Sequence, residues 1–297
     1  MSKPSGYVDL DRQFSRLDGS IAPENAAASS YLDPSHSASG DYDWKSLLAQ
    51  RLVVILGEPG SGKSWERRAQ HATLQERGEF AFLVELERLV NRQLQDALTP
   101  DDQARFLRWK KSRKLGYFLF DSVDEAKIRR HSDFYSALDS VANAIGTARH
   151  QSRIVITSRI SDWQPLTDRQ EVQMRLSGVQ QNEQRTDNGK STESSEERAA
   201  LLIVEMLPLD RKRVALLLEG LQIESANAFL RALDDHAAWD FARRPLDVVD
   251  LAQFWKAKGR LGTLTEIIEH DVTLKLRETA ARQNTFPLSE TVSSVRK

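Results

Sequence analysis

The sequence predicts an α/β fold in which a five-stranded parallel sheet is flanked by helices and followed by a small all-helical subdomain. Two observations lead to this fold class. First, five short apolar runs alternate with helical segments, and an unbroken apolar run is typical of a strand buried on both faces of a parallel sheet. Second, the apolar period becomes purely helical from Asp210 onward. The predicted strands are Leu52–Leu56, Phe80–Val84, Tyr117–Phe120, Arg153–Thr157 and Ala200–Val204.

Helical periodicity fills the segments around these strands. A helix from Ser64 to Arg77 follows the first strand, and Gly78 is a typical C-terminal stop. Three apolar stripes predict the helices of the subdomain, and Thr263 with Glu266 makes a capping box for a last helix through Glu278. The other predicted helices of the sheet domain are Asp41–Gln50, Leu86–Leu98, Asp101–Lys114 and Ser132–Ile145.

The composition divides the chain into three parts. Residues 1–40 are poor in periodic apolar residues, which predicts a poorly ordered N-terminal arm. Residues 41–209 hold the α/β domain, in which the polar stretch 180–198 predicts a disordered loop. Residues 210–297 form the helical subdomain.

Charge and cysteine content exclude several classes of protein. The chain has 297 residues with 42 basic and 43 acidic side chains, so its net charge of −1 does not point to a polyanionic partner. The absence of cysteine excludes disulfides, zinc fingers and thiol catalysis. No apolar run has the length of a signal-peptide core or a membrane span. We therefore expect a cytoplasmic protein without a membrane partner.

A glycine-rich loop connects the first strand to the helix that follows it. The loop fits the phosphate-binding pattern G-x-x-x-x-G-K-[ST] at every fixed position. Its glycines allow a tight turn with N–H groups facing phosphate oxygens, and the helix N-terminus adds partial positive charge. We expect Lys63 to reach the β- and γ-phosphates and Ser64 to hold Mg²⁺. The sequence thus predicts a P-loop NTPase that binds a nucleoside triphosphate through Gly57, Glu58, Pro59, Gly60, Ser61, Gly62, Lys63 and Ser64.

Acidic residues follow the third predicted strand. This strand ends at Asp121, where a strand beside the phosphate loop would present a carboxylate to the ligands of Mg²⁺. Asp124 and Glu125 come soon enough afterwards to position or deprotonate the attacking water. We predict Asp121 as a metal ligand together with Ser64, and Glu125 as the general base. Asp124 is the reserve, because either carboxylate could face the water.

A polar triplet follows the fourth predicted strand. Arg159 of Thr157-Ser158-Arg159 is expected at the C-terminal edge of the sheet, where ligands bind in open α/β folds. An arginine there can bind the γ-phosphate and so distinguish a triphosphate from a diphosphate. The alternative is a surface arginine at a strand end.

The order of these motifs resembles the NACHT branch of the STAND nucleotide-switch ATPases, which are related to the AAA+ proteins. The resemblance runs from about Trp44 to Glu278. Asp121–Glu125 is similar to the NACHT form of the Walker B motif, and Thr157–Arg159 is similar to sensor 1. Arg244-Pro245-Leu246 resembles a short motif whose proline packs on the adenine ring.

Two further segments resemble the large bacterial ATP-binding proteins implicated in antiphage defence. They are Gly62-Lys63-Ser64-Trp65-Glu66 and Leu264–Arg277. The resemblance implies an ATP- and Mg²⁺-dependent conformational switch that hydrolyses ATP slowly. It also implies antiviral defence or signalling, homo-oligomers on activation, and effector or sensor partners on other chains. Pro245 would contact the base, although a proline before a predicted helix also fits an ordinary helix start.

Members of this family usually carry an effector domain before the ATPase and a winged helix with a sensor array after it. Only the short arm precedes the motifs here, and one further helix follows the three stripes. We therefore expect an ATPase core whose helical subdomain is truncated. The winged-helix histidine that senses the diphosphate in the family has no counterpart, which puts the autoinhibited ADP state in doubt.

An AAA-like motor or loader acting on nucleic acid or protein is the alternative function. Basic clusters could form a nucleic-acid surface, but the balanced charge favours solvated helix faces, so we expect no nucleic-acid partner. The histidines lack ligand spacing, so no metal other than Mg²⁺ is predicted. The basic clusters are Lys110–Lys114, Arg129-Arg130 and Arg211–Arg213.

Overall fold

The computed structural model describes residues 3–17, 40–121, 131–177, 201–263, 265–266 and 269. The chain packs into two compact units, Met1–Pro208 and Leu209–Lys297. The predicted loop at 180–198 and most of the predicted last helix lie outside the described residues.

The first unit is built on a sheet with seven strands among the described residues. They are β1 Gln13–Arg16, β2 Tyr42–Asp43, β3 Leu52–Leu56, β4 Phe80–Glu85, β5 Gly116–Asp121, β6 Ser152–Ser158 and β7 Leu202–Met206. Their spatial order is β2-β1-β7-β3-β6-β5-β4. The five strands from β7 to β4 run parallel, which confirms the predicted α/β fold. At the other edge, β1 pairs antiparallel with both β7 and β2.

Alternate residues of the strands face two separate apolar clusters. On β3, Val54 and Leu56 belong to one cluster, and Val53 and Ile55 belong to the other. This follows from the period of two along a strand, which sends successive side chains to opposite faces of the sheet. Because both faces are covered, every residue of β3 is buried. Burial on both faces explains why the strands are continuous apolar runs in the sequence.

The N-terminal segment differs from the loosely ordered arm that its composition predicts. Within residues 3–17, β1 forms a strand, and Leu10 and Phe14 are buried. The main chain of β1 pairs with β7, so it satisfies backbone groups at an edge that would otherwise be open. Phe14 also packs edge-on against Trp44 at a ring distance of 5.3 Å. Pairing with the sheet orders this segment despite its few apolar residues.

Helices cover both faces of the sheet. One predicted helix is corrected, and one helix was not predicted. The continuous helix expected at Leu86–Leu98 is a short 3₁₀-helix and a separate turn of α-helix, since Asn91 adopts a left-handed conformation with φ 58°. The helix at Thr167–Leu176 was not predicted at all. The helices of this unit are α1 Trp44–Ala49, α2 Lys63–Glu76, α3 Leu94–Ala97, α4 Pro100–Lys111, α5 His131–Ile145 and α6 Thr167–Leu176, with 3₁₀-helices at Leu86–Leu89 and Gly146–Gln151.

The second unit is helical throughout its described part. Its helices are α7 Arg211–Gly220, α8 Ala226–Asp235 and α9 Pro245–Lys258, with a 3₁₀-helix at Trp239–Ala242. The Asp210 side chain caps α7 by accepting from the Arg213 N–H at 2.8 Å. The predicted capping box is present, because Thr263 N–H donates to Glu266 Oε2 at 2.8 Å and Glu266 N–H donates to Thr263 Oγ1 at 3.3 Å. Across the described residues, no helix combines the length and apolar character that crossing a membrane requires.

Candidate functional site

The glycine-rich loop lies between β3 and α2 of the first unit. Gly60 and Gly62 adopt left-handed conformations with φ of 77° and 93°, which side chains with a Cβ rarely tolerate. Gly62 is also the N-cap of α2, so the loop leads directly into the positive end of a 14-residue helix. A Cβ at Gly57 would lie 3.1 Å from Ser61 Oγ and 3.4 Å from Lys63 Cδ. The glycines are therefore required by the way this loop folds over itself.

Lys63 turns its side chain back over the loop. Its Nζ donates to Gly57 O at 2.6 Å and to Glu58 O at 2.9 Å. The pKa of Lys63 is lowered to about 8, chiefly by burial and to a smaller extent by the positive charge of Arg159, while the charge of Asp121 opposes the shift. The loop thus holds a desolvated cation beside a set of backbone groups. Such a cation gains most from a bound anion, because a phosphate oxygen would replace the water that burial removes.

Ser64 and Asp121 are brought together although they lie 57 residues apart in the sequence. Ser64 Oγ donates to Asp121 Oδ2 at 3.0 Å. Thr157 Oγ1 donates to the other carboxylate oxygen, Oδ1, at 2.9 Å. Asp121 and Thr157 occupy paired positions of β5 and β6, so the sheet register fixes this contact. The carboxylate at the end of β5 is therefore held against the first turn of α2.

The strand order corrects one expectation about this carboxylate. We expected Asp121 on a strand beside the phosphate loop, but β6 lies between β3 and β5. The side chain still reaches Ser64, because the carboxyl ends of the parallel strands meet at one edge of the sheet. The strand beside the loop is instead β6, whose Ser158 O accepts from Gly57 N–H at 3.2 Å.

Arg159 follows β6 at the same edge and is half-buried. Its charge acts on the pKa of Lys63, as does that of Asp162, which places both residues in the electrostatic surroundings of the loop. Asp124 and Glu125 lie outside the described residues. Pro245 is the first residue of α9 in the second unit and follows the N-cap residue Arg244.

A buried arginine joins the site from α2. Arg67 Nη2 donates to Asp121 Oδ2 at 2.7 Å, and the Arg67 side chain is only 1% exposed. Its Nη1 donates to Val84 O at 3.3 Å and to Leu119 O at 3.4 Å. Arg67 was not among the predicted site residues, although a signal was available: it stands three residues after Ser64 and shares its helix face.

On another side of α2, a second buried charged residue contacts the N-terminal segment. Glu66 Oε2 accepts from Trp44 Nε1 at 2.9 Å and from Tyr7 Oη at 3.1 Å. Burial raises the pKa of Glu66, although the nearby Arg12 charge and these two hydrogen bonds lower it. Arg12 Nη2 donates to Ser61 O at 3.3 Å and to Leu207 O at 2.9 Å. Residues 7–12 thereby hold the loop, a role that nothing in the sequence pattern indicates.

The oxygen groups at this edge fit a magnesium ion. Mg²⁺ prefers hard oxygen ligands and is usually held by one or two protein oxygens together with phosphate oxygens and water. Ser64 supplies a hydroxyl and Asp121 a carboxylate, 3.0 Å apart. When bound, such an ion would neutralise phosphate charge. The parallel sheet, the Gly57–Ser64 loop and the Ser64–Asp121 pair together define the first unit as a P-loop fold.

The sequence matches no protein-family model. A search of curated proteins also gives no match.

The chain is similar in fold to a number of solved structures, among them the following three. A Walker-type ATPase of Pyrococcus abyssi is 17% identical, with a TM-score of 0.42 over 82% of this chain and 73% of that one. DnaA of Aquifex aeolicus bound to AMPPCP is 14% identical, with a TM-score of 0.40 over 72% of this chain and 59% of that one. The ORC1 protein of Aeropyrum pernix in complex with DNA is 10% identical, with a TM-score of 0.40 over 90% of this chain and 68% of that one. The expectation that nucleic acid is not a partner finds no support in these comparisons.

Proposed function

We propose that the first unit binds ATP with Mg²⁺ at the Gly57–Ser64 loop and hydrolyses it slowly. The observation that carries the proposal is the hydrogen bond between Ser64 and Asp121, which joins the loop to the acidic end of β5. In this proposal Lys63 contacts the β- and γ-phosphates, and Ser64 and Asp121 hold the metal. Backbone N–H groups of the loop bind the remaining phosphate oxygens, except at Pro59, which has none, and at Gly57, whose N–H donates to Ser158 O.

Hydrolysis is assigned to the residues that follow β5 and β6. Glu125 acts as general base, with Asp124 in reserve, because both come within four residues of Asp121. Arg159 binds the γ-phosphate, which is supported by its electrostatic effect on Lys63.

The wider proposal is a nucleotide-dependent conformational switch that serves antiviral defence or signalling. It rests on the resemblance to the NACHT branch of the STAND ATPases. Pro245 is proposed to contact the base, and homo-oligomers are proposed to form when ATP is bound. A slow ATPase suits such a switch, since the triphosphate state must last long enough to assemble partners.

Nucleotide binding is tested with Lys63→Ala in the full chain. The expected result is loss of detectable ATP binding by isothermal titration calorimetry, because the variant lacks the amine that Lys63 holds over the loop through Gly57 O and Glu58 O. Lys45→Ala is the matched control, since Lys45 is an exposed lysine of α1. Unchanged ATP affinity in a folded Lys63→Ala protein would refute the assignment of the loop.

The hydrolysis proposal is tested by comparing Glu125→Gln with Asp124→Asn. Glu125→Gln should bind ATP and Mg²⁺ but hydrolyse ATP about 10²-fold more slowly, the scale expected for losing a general base. If only Asp124→Asn is slow, the base is Asp124.

Size distribution and turnover separate the two candidate functions. Light scattering with ATP, ADP and no nucleotide should show assembly in ATP alone if the chain is a switch. Fast turnover stimulated by single-stranded DNA would instead favour the motor or loader.

A further inference from the structure

Arg67 lies in an unusual place for an arginine. It is 1% exposed, and its guanidinium contacts the same Asp121 oxygen, Oδ2, that accepts from Ser64. With Thr157 on Oδ1, both oxygens of the carboxylate are engaged by donors of the protein. The predicted metal ligand is thus already paired with a fixed positive charge.

The guanidinium is held by more than this ion pair. Its Nη1 donates to Val84 O on β4 and to Leu119 O on β5, at 3.3 and 3.4 Å. These carbonyls belong to neighbouring parallel strands, so the backbone of the sheet holds the guanidinium beside the carboxylate. A side chain that is buried and bonded in this way cannot move into solvent when a cation approaches. Its charge therefore stays beside Asp121 in every state of the site.

We propose that Arg67 is a positioning residue that sets how strongly nucleotide binding depends on Mg²⁺. The guanidinium supplies part of the positive charge that Asp121 would otherwise take from the metal, and it repels a divalent ion at the same carboxylate. Nucleotide affinity then changes little between metal-free and Mg²⁺-containing solution. The inference rests on the proposed function and adds a regulatory property to the same site.

A purely structural role for Arg67 makes a different prediction. If the arginine only ties α2 to the sheet, its loss lowers the stability and weakens nucleotide binding equally with and without the metal. If it acts on the metal, its loss changes the ratio of the two affinities. The discriminating quantity is therefore the dissociation constant in EDTA divided by that in saturating MgCl₂.

The experiment measures this ratio by calorimetry with a non-hydrolysable ATP analogue on the full chain. In Arg67→Met the ratio should rise about tenfold or more, because an unopposed carboxylate attracts the ion more strongly. Arg67→Lys keeps a cation and should stay closer to the wild-type ratio. Arg68→Met is the matched control, since Arg68 is the next residue of α2 but is exposed. Its ratio should equal that of the wild type.

Two further measurements keep the inference open to contradiction. Arg67→Gln removes the charge but keeps a donor, so it replaces Arg67→Met if that variant fails to fold, and the same rise is expected. The wild-type protein alone also tests the inference. Its dissociation constant in EDTA should be about tenfold or less above that in MgCl₂, and a ratio near 10³ would overturn the inference. An unchanged ratio in a folded Arg67→Met protein would also overturn it.

Failure of the proposed function would give a different result from failure of this inference. The wild-type chain would then bind no nucleotide in either solution, or the Lys63→Ala variant would bind nucleotide as well as the wild type.

Discussion

Glu66 and Arg67 are consecutive residues of α2, yet their side chains enter two different buried environments. Arg67 contacts Asp121 and two carbonyls of the sheet. Glu66 contacts Trp44 and Tyr7, which donate uncharged hydrogen bonds from α1 and the N-terminal segment. One helix therefore has a sheet side, where a charge meets its opposite charge. It also has an N-terminal side, where the hydrogen-bond donors to the buried carboxylate are neutral and the positive charge of Arg12 acts on it as well.

Burial disfavours the charged form of both side chains. It raises the pKa of Glu66, and the Arg12 charge together with the two hydrogen bonds does not fully offset this effect. On the sheet side, burial lowers the pKa of Arg67, and the Asp121 carboxylate 2.7 Å away opposes that shift only in part. The two buried charges of α2 therefore have different uses. The pair of Arg67 and Asp121 holds groups that the proposed function needs, whereas the hydrogen bonds of Glu66 hold the N-terminal segment against α2.

The largest effect is expected from Asp121→Ala, which leaves the Arg67 charge buried without its carboxylate. Removing one partner of a buried pair is strongly destabilising, and we expect a loss of about 3 kcal/mol in the free energy of unfolding. Urea denaturation measures it. Asp139→Ala is the control, because Asp139 pairs with Arg175 while being 54% exposed, and we expect about 1 kcal/mol or less there.

The stability lost in Asp121→Ala also tests whether Asp121 and Arg67 are energetically coupled. In an Arg67→Met background, Asp121→Ala should cost clearly less, since no buried charge is then left unpaired. Equal losses in both backgrounds would mean that the two side chains are not energetically coupled.

A second effect concerns Lys63, whose pKa burial lowers to about 8. A bound phosphate favours the charged amine and raises that pKa, so binding takes up a proton when the solution lies above about pH 8. ATP affinity should then fall as the pH rises past about 8, by up to about tenfold per unit, and stay level just below that pH. Calorimetry in buffers of different ionisation enthalpy measures how many protons are taken up when ATP binds. An affinity that stays level one unit above pH 8 would show that Lys63 is already fully charged.

Several features of the first unit could be predicted from the sequence. The five parallel strands were predicted because burial on both faces leaves continuous apolar runs, as in β3. The loop was predicted because its glycines have a fixed spacing that backbone geometry requires at Gly60 and Gly62. Asp121 was predicted from its position at the end of an apolar run. These features are local, so one segment of sequence carries the whole signal.

The features that the sequence did not predict depend on distant partners. β1 is a strand because β7 offers it an edge, and its own residues include little apolar pattern. The apolar residues of Leu86–Leu98 predicted one continuous helix. In the structure they lie on two short helices that are separated by the left-handed Asn91. Glu66 and Arg67 look like the exposed face of a helix in the sequence. Only the packing of α2 against other segments shows that both are buried.

A third effect tests the N-terminal side through Glu66→Gln. The raised pKa of Glu66 means that the folded protein binds this proton more tightly than the unfolded chain does. The free energy of unfolding should therefore fall as the pH rises from the ordinary glutamate range through the raised pKa. Glutamine removes that dependence while keeping an oxygen for Trp44 and Tyr7. Arg12 and Asp9 also act on this carboxylate, with opposite signs.

The measurement is the difference in unfolding free energy between wild type and Glu66→Gln across the acidic range. The wild type should lose stability relative to the variant as the pH rises. A difference that does not change with pH would show that Glu66 keeps an ordinary pKa in the fold.

The smallest effect is expected from Tyr7→Phe, which removes one hydrogen bond to Glu66 and keeps the ring. The Tyr7 hydroxyl donates to Glu66 Oε2 at 3.1 Å, so its loss should lower the free energy of unfolding by about 1 kcal/mol. Tyr135→Phe is the matched control, because Tyr135 donates to Asp168 Oδ1 at 3.2 Å in the same unit. Both variants should lose similar stability, and both should bind ATP with unchanged affinity. If ATP affinity falls in Tyr7→Phe but not in Tyr135→Phe, the N-terminal side also shapes the nucleotide site, and the separation between the two sides of α2 is wrong.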